Sequence, residues 1–415
     1  MKKRILMVAF EFPPSNGASI QRIKSFYEHF IKAGWEVDVL TVDPKAYSNT
    51  VPGSEDDLLR SAAGMVMRPI ALDVHRHLSF KGKHLGWMAT PDRWGMTWIP
   101  NALSAAKKRL KTHKPDVIWS TAPIPSTHYI AALLSKKHNI PWVADYRDPM
   151  PYLHRPAGAF LNKVHQKIDK RVMIQARHIT FATGQIKKCY EAHFPEMNIA
   201  ARSSVVANGY NEANFSELPE DLTDQNIFKT ECFSLYYGGV LYSNGRDPLP
   251  VFEALSTLKR EHPNRPFELI FQGAGDGLEF TEQLSTLGLT DDVHFLPSTS
   301  FKSSLINIMN SDGLVLIQDE KFNNQIPGKL YEYLRSNKNI LLKTPLDSAT
   351  WGVAKTHKGI YQGYCKHSLS LELYDMISEN LSSPSQERDV AEHSRDHKAA
   401  QLLAICNEQL VDSKE

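Results

Sequence analysis

Gln325-Ile-Pro-Gly-Lys-Leu-Tyr-Glu-Tyr-Leu334 follows an apolar strand-like run, Gly313-Leu-Val-Leu-Ile317, and opens what reads as a helix. Strand, loop and helix in that order is the unit from which parallel α/β sheets are built. Pro327 stands where a first helical residue tolerates proline, because its missing N–H would be unpaired there anyway. Gly328 lets the backbone approach a ligand, Lys329 brings a positive charge, and Glu332 lies one turn after Gly328 on the same face. Free N–H groups and the positive dipole end make such a helix start a natural anion site. A carboxylate one turn further in can accept hydrogen bonds from a diol. An anion plus a diol describes a sugar nucleotide; a helix start that merely packs well is the alternative.

The same alternation runs through the whole chain. Strand-like runs fall at residues 5–10, 37–42, 117–119, 142–144, 179–182 and 204–206. Between the first two, Ile20, Ile23, Phe26, Tyr27, Phe30 and Ile31 recur at helical spacing, with Gly34 as the helix stop. The pattern then restarts. Residues 234–237, 267–272, 293–296, 314–317 and 340–342 read as strands, the last of them closing the series. Residues 249–260, 277–287 and 327–336 read as helices. Fully apolar strands between amphipathic helices imply parallel sheets covered on both faces. The expected organisation is an N-terminal domain over 1–212, a polar linker over 213–230 and a C-terminal domain over 231–370. A helical tail over 371–415 packs back toward the first domain.

Length and composition agree with two domains. A chain of 415 residues is too long for one small core. Its charge is nearly balanced at +2, with 42% apolar residues, which describes an ordinary globular protein. Cys189, Cys232, Cys365 and Cys406 form no paired motif, so neither a disulfide framework nor a cysteine metal site is expected, and a reducing cytoplasm fits. The opening Met-Lys-Lys-Arg-Ile-Leu-Met-Val-Ala-Phe10 is too short in its apolar part for a signal peptide and reads as a first strand. Near-zero charge and the lack of a basic, aromatic-interleaved stripe exclude nucleic acid. The basic runs at 107–111, 136–137 and 167–171 are solvated helix faces, or together a surface attractive to anionic lipid or an anionic acceptor. This allows a location at the inner face of a membrane.

Ligands of open α/β sheets bind beyond the carboxyl ends of the strands. After the first strand comes Glu11-Phe-Pro-Pro-Ser-Asn-Gly17, a loop that presents backbone amides or is simply a turn. Gly238-Gly239 and then Arg246 follow a strand of the second half, and an arginine fork there matches phosphate oxygens. A surface pair of Arg246 with Asp247 is the bland alternative. Gly273-Ala-Gly-Asp-Gly277 is a generic third loop. Asp145-Tyr-Arg-Asp148 places two carboxylates and an arginine at a strand end, where they pair with each other or meet a ligand. His128 follows Ser120-Thr-Ala-Pro-Ile-Pro125 and is either structural or functional. No Asp-x-Asp occurs, so no divalent cation is expected to bridge a diphosphate. The aromatic-rich segment 84–99 (Trp87, Met88, Trp94, Trp98) reads mainly as packing, with contact to a lipid-linked saccharide as the alternative.

Taken together, these segments resemble family 4 retaining glycosyltransferases of GT-B architecture over nearly the whole chain. The resemblance rests on Phe12-Pro-Pro with Gly17, Gly34-Trp-Glu-Val-Asp-Val-Leu-Thr41 and Ile140-Pro-Trp-Val-Ala-Asp-Tyr-Arg-Asp-Pro149. It continues through Val206-Ala-Asn-Gly-Tyr-Asn211, Gly238-Gly with Arg246-Asp-Pro248, and Ile326-Pro-Gly-Lys-Leu-Tyr-Glu-Tyr-Leu334. It implies two Rossmann-like domains facing a cleft and a C-terminal helix crossing back. It also implies a donor site of Asn16, Gly17, Gly239, Arg246, Leu296, Asn324, Gly328, Lys329, Leu330 and Glu332. In it Arg246 and Lys329 hold the diphosphate, Glu332 binds the ribose, and the backbone at 294–297 borders the base. Two departures stand out. Asn324 occupies the place of the first of the family's usual two glutamates, and Asn244 that of a usual lysine.

The reaction so implied is transfer of a sugar from a nucleotide-diphosphate donor to a hydroxyl of a glycan or lipid-linked saccharide, with retention. No metal and no further cofactor are expected. Arg246 and Lys329 stabilise the leaving diphosphate, while His128, Asp145 and Asp148 orient the acceptor or the sugar. The rivals are an enzyme resembling a nucleotide-sugar 2-epimerase, and a degenerate transferase acting as a scaffold.

Overall fold

The computed structural model describes residues 2–16, 20–51, 53, 64–154, 156, 158–222, 225–241, 244–380 and 387–411. The chain divides into two compact units, residues 1–207 with 395–415, and residues 208–394.

The first unit is built on β1 (Arg4–Val8), β2 (Glu36–Leu40), β3 (Val66–Met67), β4 (Val117–Thr121), β5 (Trp142–Tyr146), β6 (His178–Phe181) and β7 (Ser203–Val205). These pair in the order β3-β2-β1-β4-β5-β6-β7, every pair parallel. The strands alternate between two cores. Ile5 and Met7 of β1 pack into one apolar cluster, Leu6 and Val8 into another on the opposite face. That two-sided burial is why they read as unbroken apolar runs.

Helices α1 (Ile20–Lys32), α2 (Gly95–Leu110), α3 (Pro125–His138), α4 (Ala159–Gln175) and α5 (Gly184–His193) cover the sheet. Gly34 ends α1 with a φ of 83°, as its position implied. Trp98 and Trp142 are wholly buried, and their indole N–H groups donate to Thr41 O (2.9 Å) and Ser120 Oγ (2.8 Å). Trp87 is exposed instead, and Trp94 is half-buried against Phe10.

The second unit carries β8 (Phe233–Gly238), β9 (Phe267–Gln272), β10 (Val293–Leu296), β11 (Gly313–Ile317), β12 (Asn339–Lys343) and β13 (Ile360–Gly363). Their order is β10-β9-β8-β11-β12-β13, again all parallel. Its longer helices include α6 (Leu249–Glu261), α7 (Phe301–Asn310), α8 (Lys329–Arg335) and α9 (Lys366–Asn380). In each sheet the winding reverses once, between β1 and β4 and between β8 and β11. The loops leaving those strands diverge and leave a crevice.

Several details differ from the sequence reading. The strands β3 and β13 were not expected; the first is two residues long and the second alternates buried with half-buried positions. Residues 277–287 do not form one helix, because a 3-10 turn, Leu278–Phe280, precedes a helix confined to Thr281–Thr286. The segment 211–229 contains a short helix, Glu212–Ser216, whose Asn211 cap accepts from the Ala213 amide. Residues from 371 onward do not turn back at once. α9 packs on α6 and β13 inside the second unit, and only α10 (Arg395–Val411) belongs to the first unit, against α1.

Candidate functional site

The crevice between β8 and β11 holds a pocket of about 370 Å³ in the second unit, and Gly238, Gly239, Gly273, Lys329 and Glu332 are among its lining residues. β8 delivers Gly238 and Gly239 to its rim. The Gly238 amide donates to Tyr333 Oη (3.1 Å) of α8, and the Gly239 amide donates to Gln272 O (2.7 Å) of β9. Gly239 adopts a φ of 107°, and a Cβ there would lie 3.3 Å from Lys329 Nζ. The positive φ favours glycine there, and a Cβ would crowd the lysine.

Lys329 is the most unusual group in the pocket. Its ammonium sits 3.8 Å from the centre of the Tyr237 ring, buried and without a hydrogen-bond partner. Burial, reinforced by the charge of Arg246 and only partly opposed by Glu332, pulls its pKa well below 10.5. The ring face recovers part of the lost hydration, but a buried cation with no acceptor is costly to keep. Such a group is poised for an anion.

Arg246 lies on the loop after β8. Its Nη1 donates to Val240 O (2.8 Å), and its guanidinium is 5.9 Å from the Phe322 ring centre. The loop is held from below by Asp319, which follows β11. The Asp319 amide donates to Gly245 O (3.0 Å), and Asp319 Oδ2 accepts from the Asp247 amide (2.8 Å), so the two neighbours of Arg246 are both fixed. Lys343 at the end of β12 forms an ion pair with Asp319. Gly245 packs so tightly on Phe322, at a φ of 117°, that a Cβ would come within 2.5 Å of the ring. Asp319 and Lys343 went unrecognised in the sequence. The signal was there, since each sits at the carboxyl end of a strand.

Glu332 is buried and lines the pocket one turn after Gly328. Gly328 itself has an ordinary helical φ of −53°, and a Cβ on it would meet nothing. Leu330 is fully buried and its amide already donates to Pro327 O (3.0 Å), so it offers no free donor to a ligand. Leu296 ends β10 with its carbonyl accepting from Gly273 N (2.9 Å). The pocket wall falls slightly later, at Ser298 and Thr299. Asn324 is exposed and outside the lining residues. Two lining residues missed by sequence reading are tied together, Tyr236 Oη donating to Gln272 Oε1 (2.8 Å), and Asn307 Nδ2, behind the lining, donates to the same oxygen (2.7 Å).

The first-unit candidates divide. Asp145 is completely buried and receives a two-pronged ion pair from Arg22 (3.2 and 2.8 Å) and hydroxyls from Thr121 and Thr180 (both 2.7 Å). Burial alone would raise its pKa, but the charge and hydrogen bonds of Arg22, with the two threonines, hold it below the ordinary value. It is a structural carboxylate. His128 is also sealed in the core, with Nδ1 2.8 Å from Ser120 Oγ, and burial lowers its pKa to about 3. A neutral imidazole closed off from solvent cannot touch an acceptor, so the expected catalytic role of His128 is not supported by its position. Asp148 is partly exposed and pairs with Arg147 (3.2 Å). Asn16 is exposed, its amide donating to Asn49 O (3.2 Å), and Gly17 lies outside the described residues.

Residues 21–214 match the model of Glycosyltransferase Family 4. No curated protein matches the sequence. Among solved structures, sucrose-phosphate synthase from Thermosynechococcus elongatus superposes with a TM-score of 0.61 at 14% identity, covering 98% of this chain and 97% of that one. A glycosyltransferase from Rickettsia africae gives 0.58 at 14% identity, with 99% and 97% covered. Anabaena HepE in complex with UDP-glucose gives 0.55 at 13% identity, with 99% and 98% covered. Residues 21–214 thus match a Glycosyltransferase Family 4 domain, and with the second parallel sheet beyond it the chain has the two-domain GT-B fold.

Proposed function

We propose that the pocket at the β8/β11 crevice binds a nucleotide-diphosphate sugar. The enzyme then moves the sugar, with retention and without a metal, to a hydroxyl of a glycan or lipid-linked saccharide. The observation that carries this reading is the buried, unpartnered ammonium of Lys329. A diphosphate supplies the acceptor oxygens it lacks, and Arg246 is the second cation within electrostatic reach. Glu332, one turn deeper, accepts the ribose hydroxyls. In the reaction the bond from the anomeric carbon to the diphosphate breaks, and the acceptor oxygen bonds to the same face. Its proton passes to a diphosphate oxygen, so no strong protein base is required. UDP-glucose in the HepE structure supports a nucleotide sugar as donor class. Asp148 is the candidate for orienting the acceptor.

A thermal-shift screen with UDP-, GDP-, ADP- and TDP-sugars, followed by transfer assays in EDTA, tests the reading. At least one donor should stabilise the protein, and turnover should survive chelation. Stabilisation by none of the donors, or strict dependence on Mn²⁺, sinks it. Glu332→Ala and Arg246→Ala should each weaken donor binding about tenfold or more while the fold melts normally, since each removes a charged hydrogen-bonding group worth about 1.5–3 kcal/mol. Wild-type donor constants in both variants would move the site elsewhere.

Asp319 acts through Arg246. Asp319→Ala should raise the donor KM about tenfold by freeing the loop. In an Arg246→Ala background the same change should add little, because its target is gone. Fully additive effects would show that Asp319 serves only the fold.

A further inference from the structure

We propose that Gln272 reads the nucleobase of the donor. It selects bases with a carbonyl on the edge farthest from the ribose over bases with an amine there. The proposal rests on the donor-site reading of the pocket and names the class of nucleotide that the pocket takes.

Gln272 ends β9 and lines the pocket. Its main chain is fixed where its carbonyl accepts the Gly239 amide (2.7 Å). Its side chain is fixed from β8 and from α7, which carries Ser304 and Asn307 on one face, three residues apart. The Tyr236 hydroxyl has a single proton, and that proton goes to Gln272 Oε1 (2.8 Å). The hydroxyl oxygen then accepts from Ser304 Oγ (3.1 Å). Asn307, 4% exposed, brings a second donor to the same Oε1 (2.7 Å). Two donors on the amide oxygen set the orientation of the group, and its nitrogen takes the other side. Among the described residues nothing accepts from Gln272 Nε2. A locked amide thus keeps two unspent N–H donors on the pocket wall.

Lys329 and Glu332, both on α8, are taken up by the diphosphate and the ribose. The wall of Gln272, Ser298 and Thr299 is left for the base. The base edge farthest from the ribose carries a carbonyl in uracil, thymine and guanine, and an amine in cytosine and adenine. A carbonyl accepts from Nε2. An amine sets donor against donor and leaves both unpaired, which costs more than a contact simply not made. A site that completes one hydrogen-bond pattern therefore rejects the complementary one strongly.

Calorimetric titration of the full chain with UDP, CDP, GDP and ADP tests the proposal, since the members of each pair share ring size and charge. Within the ring size that binds, UDP or GDP should bind about tenfold or more tighter than CDP or ADP. Gln272→Glu keeps an acceptor for Tyr236 and Asn307 but turns an oxygen toward the base. It should erase or reverse the preference while the protein melts normally. Gln272→Leu should erase it too, with a lower melting temperature, because it strands both donors. Equal binding within a pair, tighter binding of the amine, or a preference that survives Gln272→Glu overturns the base assignment and leaves the donor site standing. Binding of none of the four removes the donor site, and the base assignment with it.

Discussion

Replacing Lys329 by methionine should cut turnover sharply and at the same time raise the melting temperature of the ligand-free protein. The ammonium is buried over Tyr237 with no hydrogen-bond acceptor, and a charged group in that state costs stability. Methionine keeps the length of the stem, removes the charge and leaves a thioether on an aromatic ring, itself a favourable contact. Relief of even about 1 kcal/mol corresponds to roughly 2–4 °C for domains of this size. Turnover should fall about 100- to 1,000-fold, the usual loss when one electrostatic stabiliser of a developing charge is removed.

The pH dependence has a defined sign. The folded-state pKa of Lys329 is depressed, so between it and 10.5 the unfolded chain binds more protons than the folded one. Wild-type stability should therefore rise with pH through that window, and the methionine variant should lose this part of the slope. Donor binding should restore the charge and take up a proton in the same window. Calorimetry in buffers of different ionisation enthalpy reads that uptake. A variant that neither gains stability nor loses activity would show that the ammonium is already solvated.

The second large effect is expected at Arg22 and Asp145. Asp145→Ala should cost about 3–5 kcal/mol in denaturant unfolding, because it strands a buried guanidinium. Arg22 is 6% exposed and its partner not at all, so water cannot substitute. The paired replacement Arg22→Met with Asp145→Leu should recover much of the loss, since it buries no unpaired charge. A single-variant cost below about 1 kcal/mol would place the pair in the class of solvated surface bridges instead.

These cases show which parts of the chain speak for themselves. Strands buried throughout, such as β4 and β12, were legible in their apolar centres because burial on both faces removes any alternation. β13 was not, because it is half-buried and resembles a loop. Lys329 and Glu332 were legible because a strand–loop–helix unit fixes their positions locally, and both line the pocket. The ring beneath Lys329 and the Asp319 brace on the Arg246 loop come from elements far away in sequence, and no local pattern encodes them. His128 and Asp145 misled for the same reason. Whether a polar residue near a strand end faces a ligand or a buried partner is decided across the sheet, and here Arg22 and Ser120 decided it.

The second unit is, in topological terms, an insertion. The chain leaves the first unit after Ala207, re-enters it at Arg395, and the two crossings run side by side, with the Tyr210 amide donating to His393 O (3.1 Å). α10 then supplies Ala399, Leu402, Ile405 and Cys406 to the core that begins with Ile5 and Met7. During synthesis that core stays open until its final helix emerges, with a whole domain folding in between. Lys3 finds Asn407 across a sequence separation of 404 residues. Without α10 the cluster that β1 shares with Ile23, Phe26 and Phe30 of α1 lacks part of its cover, so the first unit to be made is the last to be completed.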